Sequence, residues 1–110
     1  MGYDIHITRA ADWSDNRGEE ISEREWRTLI EEDPELEHNP AYGDHAVHWR
    51  GEGSPPDAWF DWYRGNVYTT NPDRAVLAKA LRIAAFLDAR VEGDDGKIYC
   101  GAEDSVELSA

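Results

Sequence analysis

The chain has 110 residues, with 24 Asp and Glu against 11 Lys and Arg, and a formal net charge of -13 at pH 7. This length fits one compact domain and argues against two, and a single Cys excludes a disulfide scaffold. So negative a charge repels phosphate backbones and anionic lipid, which argues against nucleic acid and membrane surfaces as partners. The class of macromolecule that this charge attracts is a basic protein.

The sequence shows neither an export signal nor a membrane segment. Its start lacks a basic stretch followed by an apolar one, and no apolar run approaches about 18 residues. Cys100 is the only Cys, which fits a reducing compartment. We therefore expect a cytoplasmic protein.

The first part of the chain predicts a strand and then a helix. Residues 3–9 alternate apolar and polar side chains, which places Ile5 and Ile7 inward and His6 on the other face. Ser22-Glu23-Arg24-Glu25 matches a capping box, and apolar residues at helical spacing follow, so a helix is expected over residues 23–32. Residues 35–44 are polar, contain a second proline and predict an irregular loop.

The second part predicts strands, a long helix and a hairpin. Strands are expected at residues 46–50, 58–64 and 67–69, with a tight turn at Arg64-Gly65-Asn66. Asn71-Pro72-Asp73 predicts a helix over residues 72–89 with Asn71 as its cap, and Gly93-Asp94-Asp95-Gly96 predicts a final turn. The expected fold is α+β, a single domain over residues 1–101 with an antiparallel sheet of about five or six strands and two helices on one side. Residues 102–110 are expected to form an acidic, frayed C-terminal tail.

The strand at residues 58–64 carries the first set of candidate binding residues. Alternation places Trp59, Asp61 and Tyr63 on one face, and Phe60 and Trp62 on the other. One face is enough to supply a core. The other is either covered by the long loops or left as an aromatic patch around a carboxylate, a composition that is typical of binding hot spots.

Acidic residues form the second set of candidates. Carboxylates are concentrated between residues 19 and 37, and we select Glu31, Glu32 and Glu35 as the residues that attract a basic partner. The alternative is a solvated acidic surface, as in salt-tolerant hosts.

No pattern predicts a catalytic residue, a metal site or a cofactor. His45 and His48 beside Asp44 form the best local group of metal ligands, but they lie where a loop enters a strand and have no Cys with them, so surface histidines are the favoured interpretation. Cys100 lies near a single basic residue, Lys97, and is not expected to act as a nucleophile. Carboxylates beside Trp residues are also the requirement of a glycoside hydrolase, although no particular pair stands out.

Several segments together resemble a family of small bacterial proteins with no assigned activity. They are the opening residues 3–9 (YDIHITR), Trp13, Ile21, Glu25-Trp26, Asp33-Pro34-Glu35, the segment 71–73 (NPD) and the terminal segment 93–99 (GDDGKIY). The resemblance covers about residues 1–100 and implies a bacterial cytoplasmic domain, but it transfers no catalytic residue. In size and acidity alone, the chain is also similar to immunity proteins of toxin systems.

The leading hypothesis is a non-enzymatic acidic binding protein. Its most concrete form is an immunity protein or antitoxin that covers a basic toxin such as a nuclease, because an acidic surface both steers to a cationic site and blocks it. Two alternatives stay open: a small glycoside-directed or metal-assisted hydrolase, and a generic bacterial interaction domain. The sequence predicts no oligomeric state.

Overall fold

The computed structural model describes residues 2–101, so the predicted tail at residues 102–110 lies outside the described residues. The described residues form two helices and seven strands, which confirms the predicted α+β class. In chain order the elements are β1 (Asp4–Thr8), α1 (Glu23–Glu32), β2 (Leu36–His38), a 3₁₀ turn (Pro40–Tyr42), β3 (Val47–Trp49), β4 (Trp59–Tyr63), β5 (Asn66–Thr70), α2 (Arg74–Phe86), β6 (Arg90–Gly93) and β7 (Ile98–Tyr99).

All seven strands form one antiparallel sheet in the order β2-β3-β4-β5-β1-β6-β7. The first strand of the chain therefore lies inside the sheet, between β5 and β6. Strands β3, β4 and β5 follow each other in space as they do along the chain, as antiparallel hairpins require.

Strand β2 lies where the sequence predicted an irregular loop. It is a three-residue edge strand held by pairing with β3, in which Leu36 lies opposite Trp49. Only Leu36 is buried, while Glu37 and His38 are exposed. A three-residue strand is too short for side-chain alternation to be detected in the sequence. Its extended conformation depends on backbone pairing with β3. The 3₁₀ turn that follows is capped by Asn39, whose side chain accepts a hydrogen bond from the Ala41 N–H.

The core lies between one face of the sheet and the two helices. On β1, Ile5 and Ile7 point into it as predicted, and each is 1% exposed. Trp26 of α1 and Leu77 of α2 belong to the same buried cluster. The Arg9 guanidinium lies near both helices, because it donates to the Glu25 carboxylate and to the Leu87 backbone oxygen. Among residues 2–101, no helix lies on the opposite face of the sheet.

The predicted N-cap of α1 is confirmed, whereas the predicted N-cap of α2 is wrong. Helix α1 has the predicted capping box, in which Ser22 accepts from the Glu25 N–H and Glu25 accepts from the Ser22 N–H. The cap of α2 is Asp73, whose carboxylate accepts from the Val76 N–H at 2.8 Å, and the prediction of Asn71 was wrong. Asn71 instead accepts a hydrogen bond from the Tyr3 N–H and has a φ of 50°.

A tight turn at Arg64-Gly65 sets the register of β4 against β5. Both residues have positive φ, 50° and 88°, which matches the twist of a two-residue hairpin. A side chain at Gly65 would also meet Glu20, since an added Cβ would lie 2.5 Å from the Glu20 Cβ. The predicted hairpin is therefore confirmed, and its register places Asp61 opposite Tyr68.

Glu25 gives the fold a specific dependence on pH. Its contacts with Arg9 and with the Ser22 backbone lower the pKa of its carboxyl group from 4.5 to about 2. Between these two pH values the unfolded chain binds more protons than the folded chain, so this stabilisation is present above pH 4.5 and is lost as the pH falls towards 2.

We expect Glu25→Ala to lower the free energy of unfolding by about 1 to 2 kcal/mol at pH 7, a modest value because the ion pair with Arg9 is exposed to solvent. Urea denaturation of parent and variant should show this difference shrinking as the pH falls below 4.5. Glu25→Gln is the control: it keeps the capping box and should lose less than half as much. A difference that is constant from pH 7 to pH 3 would contradict the assignment.

Candidate functional site

The face of the sheet opposite the helices, here called the open face, carries aromatic and acidic side chains. The strand register places together Trp59, Asp61 and Tyr63 of β4, Tyr68 and Thr70 of β5, and Asp4 and His6 of β1. The prediction that Trp59, Asp61 and Tyr63 share one face is therefore confirmed, with Phe60 fully buried on the other. Trp62 is half-buried and donates from its Nε1 to the Ile21 backbone oxygen.

Trp59, Asp61, Tyr68 and Tyr42 line a cavity of about 460 Å³, here called the aromatic-acidic pocket. The rings of Trp59 and Tyr68 stand nearly perpendicular, at 86°, with their centroids 5.4 Å apart. In this edge-to-face arrangement the edge of one ring lies against the face of the other, and both residues line the pocket. His48 also lines the pocket, and its ring lies 5.9 Å from that of Tyr42.

Asp61 supplies the charge of this pocket. Partial burial of its carboxyl group raises its pKa, against the opposite effects of hydrogen bonds from the Trp62 backbone and the Tyr68 hydroxyl. Burial is also the main cause of the raised pKa of Tyr68, to which the charge of Asp61 contributes. Because burial has removed part of the water from this carboxylate, a cation bound beside it would gain a stronger interaction than at an exposed site.

Tyr63 lies at the other end of β4 and outside this pocket. Its side chain is 60% exposed, and the Arg64 guanidinium carbon lies 5.2 Å from its ring centroid. Tyr63 lines a second cavity of about 760 Å³, together with His6, Trp13 and Tyr68. Tyr68 therefore borders this second cavity as well as the aromatic-acidic pocket.

A loop covers part of the open face at the second cavity. Trp13 stacks on His6 with the ring centroids 3.6 Å apart and the planes within 3°. Backbone contacts hold this tryptophan in place, since its N–H donates to Glu92 and its oxygen accepts from the Asn66 side chain. Coverage by loops, the alternative to an exposed patch, thus applies at His6, whereas Trp59 and Asp61 keep partial exposure.

The structure does not bring the acidic candidates, Glu31, Glu32 and Glu35, together with the aromatic candidates of β4. Glu31 and Glu32 are exposed near the end of α1, on the helical side of the sheet. The carboxylate of Glu35 accepts hydrogen bonds from the Trp49 indole and the Lys79 ammonium group, both at 2.9 Å. These contacts are the main causes of its lowered pKa. Glu35 therefore contributes to the fold, and Glu31 and Glu32 lie on the side of the sheet away from the open face.

His45 and His48, which the sequence groups as possible metal ligands, do not face a common point. His45 pairs with the Glu23 carboxylate at 2.7 Å. The two ring nitrogens of His48 instead face the Asn39 amide at 2.9 Å and the Arg50 guanidinium at 3.1 Å.

Sequence reasoning missed Tyr68 and Tyr42 as parts of the site. Tyr68 lies opposite Asp61 because of the hairpin turn, and counting back from Gly65 would have paired these two residues. Tyr42 comes from the 3₁₀ turn and is 72% exposed, and no local pattern indicates that it faces β4.

Comparison with known proteins returned no match: neither a family model, nor a curated protein, nor a solved structure resembles the chain significantly. The resemblance carried by residues 3–9 and 93–99 therefore stays a prediction. Within residues 2–101, no helix combines the length and the apolar character needed to cross a membrane.

Proposed function

We propose that this chain is a non-enzymatic acidic binding protein whose open face receives a basic protein partner in the cytoplasm. Its most concrete form is an immunity protein or antitoxin that neutralises a basic toxin such as a nuclease. The aromatic-acidic pocket carries the proposal: a partly buried carboxylate, Asp61, lies beside the perpendicular rings of Trp59 and Tyr68.

This pocket suits the side chain of a Lys or Arg from a partner. Aromatic faces attract cations by about 0.5 to 2 kcal/mol, depending on how far the cation is desolvated. The Asp61 carboxylate adds a direct ion pair, and the partial burial that raises its pKa leaves it less exposed to water than a surface carboxylate. A cation in this pocket would therefore lie among two aromatic side chains and a carboxylate, which is the composition of an interface hot spot.

The overall charge supports the same kind of partner. A net charge of -13 accelerates the approach of a basic protein over distances beyond contact. A nuclease toxin needs a cationic surface to bind phosphates, so an acidic protein seated on that surface would exclude the substrate. Glu31 and Glu32 contribute here as part of the field and not as contact residues.

Affinity capture from the native host tests the proposal. The parent, immobilised at low salt, should retain a basic protein that is released at 1 M salt, where the Debye length falls to about 3 Å. Asp61→Lys should lose that protein, because the new ammonium group occupies the pocket and repels the partner's cation.

Glu31→Lys is the matched control for this capture. It makes the same change of charge on the helical side of the sheet and should keep the captured protein, with a modestly slower association. Equal retention by the parent and Asp61→Lys would contradict the proposed pocket, and the absence of any basic protein in the parent sample would contradict the proposed function.

A glycoside-directed hydrolase is the second candidate, because Asp57 and Asp61 line one cavity with Trp59. Two carboxylates beside an aromatic platform are the arrangement that glycoside hydrolysis requires. Turnover of chromogenic glycosides by the parent, lost in Asp61→Asn, would favour this candidate over the binding protein.

A further inference from the structure

Two distant parts of the chain meet at one edge of the open face. Asp4 and His6 belong to β1, whereas Asp94 lies in the turn between β6 and β7. The His6 Nε2 is 2.8 Å from the Asp94 Oδ1, and one potential ligand atom from each of the three side chains lies within 4.8 Å of the others. This convergence follows from β6 pairing with β1, which also places Glu92 opposite His6.

Surrounding hydrogen bonds hold the two carboxylates in position. The Thr70 hydroxyl donates to the Asp4 Oδ1 at 2.7 Å, and the Asp4 N–H donates to the Asp94 Oδ2 at 2.9 Å. Each carboxylate therefore has one oxygen occupied by the protein and a second oxygen left for the cluster. Outer hydrogen bonds of this kind orient the ligands of metal sites and strengthen binding.

The side chain of His6 is also held in position, as the two carboxylates are. The residue is 6% exposed, and Trp13 covers its ring by stacking. The imidazole therefore has little freedom to turn, and its Nε2 stays directed at the carboxylate of Asp94. A nearly buried imidazole nitrogen that faces two oriented carboxylates differs from a surface group of acidic residues, because its orientation is fixed before any ligand arrives.

We infer that Asp4, His6 and Asp94 form a binding site for a divalent transition metal ion of the Zn²⁺ class. One imidazole nitrogen and two carboxylate oxygens suit Zn²⁺, which accepts such ligands at about 2.0 to 2.2 Å, better than Ca²⁺, which takes six to eight oxygens. In the absence of the ion these atoms share a hydrogen bond, so metal binding at the His6 Nε2 moves that proton to the other ring nitrogen or releases it to solvent.

Three protein ligands leave a coordination position for water or for a partner's group. Asp4 and His6 line the second cavity, so that position is reached from the open face. The inference does not rest on the proposed function, because the metal ligands and the aromatic-acidic pocket share no residue.

Calorimetric titration of chelator-treated protein with ZnCl₂ tests the site. The parent should bind one ion with a Kd of about 10 μM or tighter, and its melting temperature should rise by about 5 °C or more at saturation. Asp94→Asn and His6→Asn should each weaken binding by about tenfold or more. In ¹H–¹⁵N spectra, the ring signals of His6 should shift on Zn²⁺ addition while those of His45 stay in place.

Asp95→Asn is the matched control, because it removes the same charge from the neighbouring turn residue, whose carboxylate bonds to the Tyr3 hydroxyl instead. It should bind Zn²⁺ like the parent. Equal Zn²⁺ affinities of Asp94→Asn, His6→Asn and Asp95→Asn would overturn the inference, as would a parent that binds only at millimolar Zn²⁺. If Asp94→Asn fails to fold, Asp4→Asn and the His6 ring signals of the parent decide the outcome.

Discussion

Replacing Lys79 with Met should lower the free energy of unfolding by about 3 kcal/mol. Lys79 is 4% exposed, and its ammonium group lies 2.6 Å from an Asp33 oxygen and 2.9 Å from a Glu35 oxygen. Removing the cation leaves two carboxylates close together without their shared partner. The loss stays at the lower end of the range for broken buried pairs, because solvent reaches the Glu35 side chain.

Guanidinium denaturation at pH 7 measures this loss. Lys97→Met is the matched control: it removes the only other lysine, which lies over the Tyr99 ring, and should cost less than about 1 kcal/mol. Adding Glu35→Gln to Lys79→Met should recover part of the stability, since one unpaired charge is then gone. Equal small losses for the two lysine variants would show that the buried ion pair does not stabilise the fold.

Replacing Trp26 with Ala should lower the free energy of unfolding by about 3 to 5 kcal/mol, the usual cost of removing a buried aromatic side chain. Trp26 is fully buried where α1 meets the sheet, and its indole Nε1 donates to the His45 backbone oxygen at 2.8 Å. The cost therefore combines a cavity with an unsatisfied carbonyl group.

Two companion variants separate these contributions in the same denaturation experiment. Trp26→Phe keeps most of the ring volume but loses the donor, so it should cost about 1 to 3 kcal/mol. Tyr42→Ala removes an aromatic side chain that is 72% exposed and should change stability by less than about 0.5 kcal/mol. A Trp26→Ala variant as stable as Tyr42→Ala would contradict the described core.

Local sequence patterns correctly predicted the structural features that depend on interactions between residues close in the chain. The capping box at Ser22 and the alternation from Trp59 to Tyr63 specify their own geometry, and the structure has both. The cap of α2 was misplaced by two residues, because Asn71 and Asp73 are equally good caps in isolation. Pairing of the Asn71 side chain with the Tyr3 N–H, 68 residues away, decides between them.

Other parts of the candidate sites depend on contacts that no local pattern records. Asp94 meets His6 across 88 residues only because β6 pairs with β1, and the strand order could not be derived from the sequence. Glu35 was selected as a surface charge, yet Lys79 of α2 reaches it. The charge of these side chains was plain from the sequence, but their partners depend on the tertiary fold.

The most direct test of the proposed binding role is the affinity of Asp61→Asn for the captured basic protein, measured together with the melting temperature. Asparagine still accepts the Tyr68 hydrogen bond but removes a charge whose desolvation raises its pKa, so the fold should lose little stability. Phe86→Ala, which removes a half-exposed ring at the end of α2, is the control. We expect the Kd of Asp61→Asn to rise about 30-fold, equivalent to about 2 kcal/mol, with the melting temperature within about 3 °C of the parent. A Kd equal to that of Phe86→Ala and the parent would contradict the account.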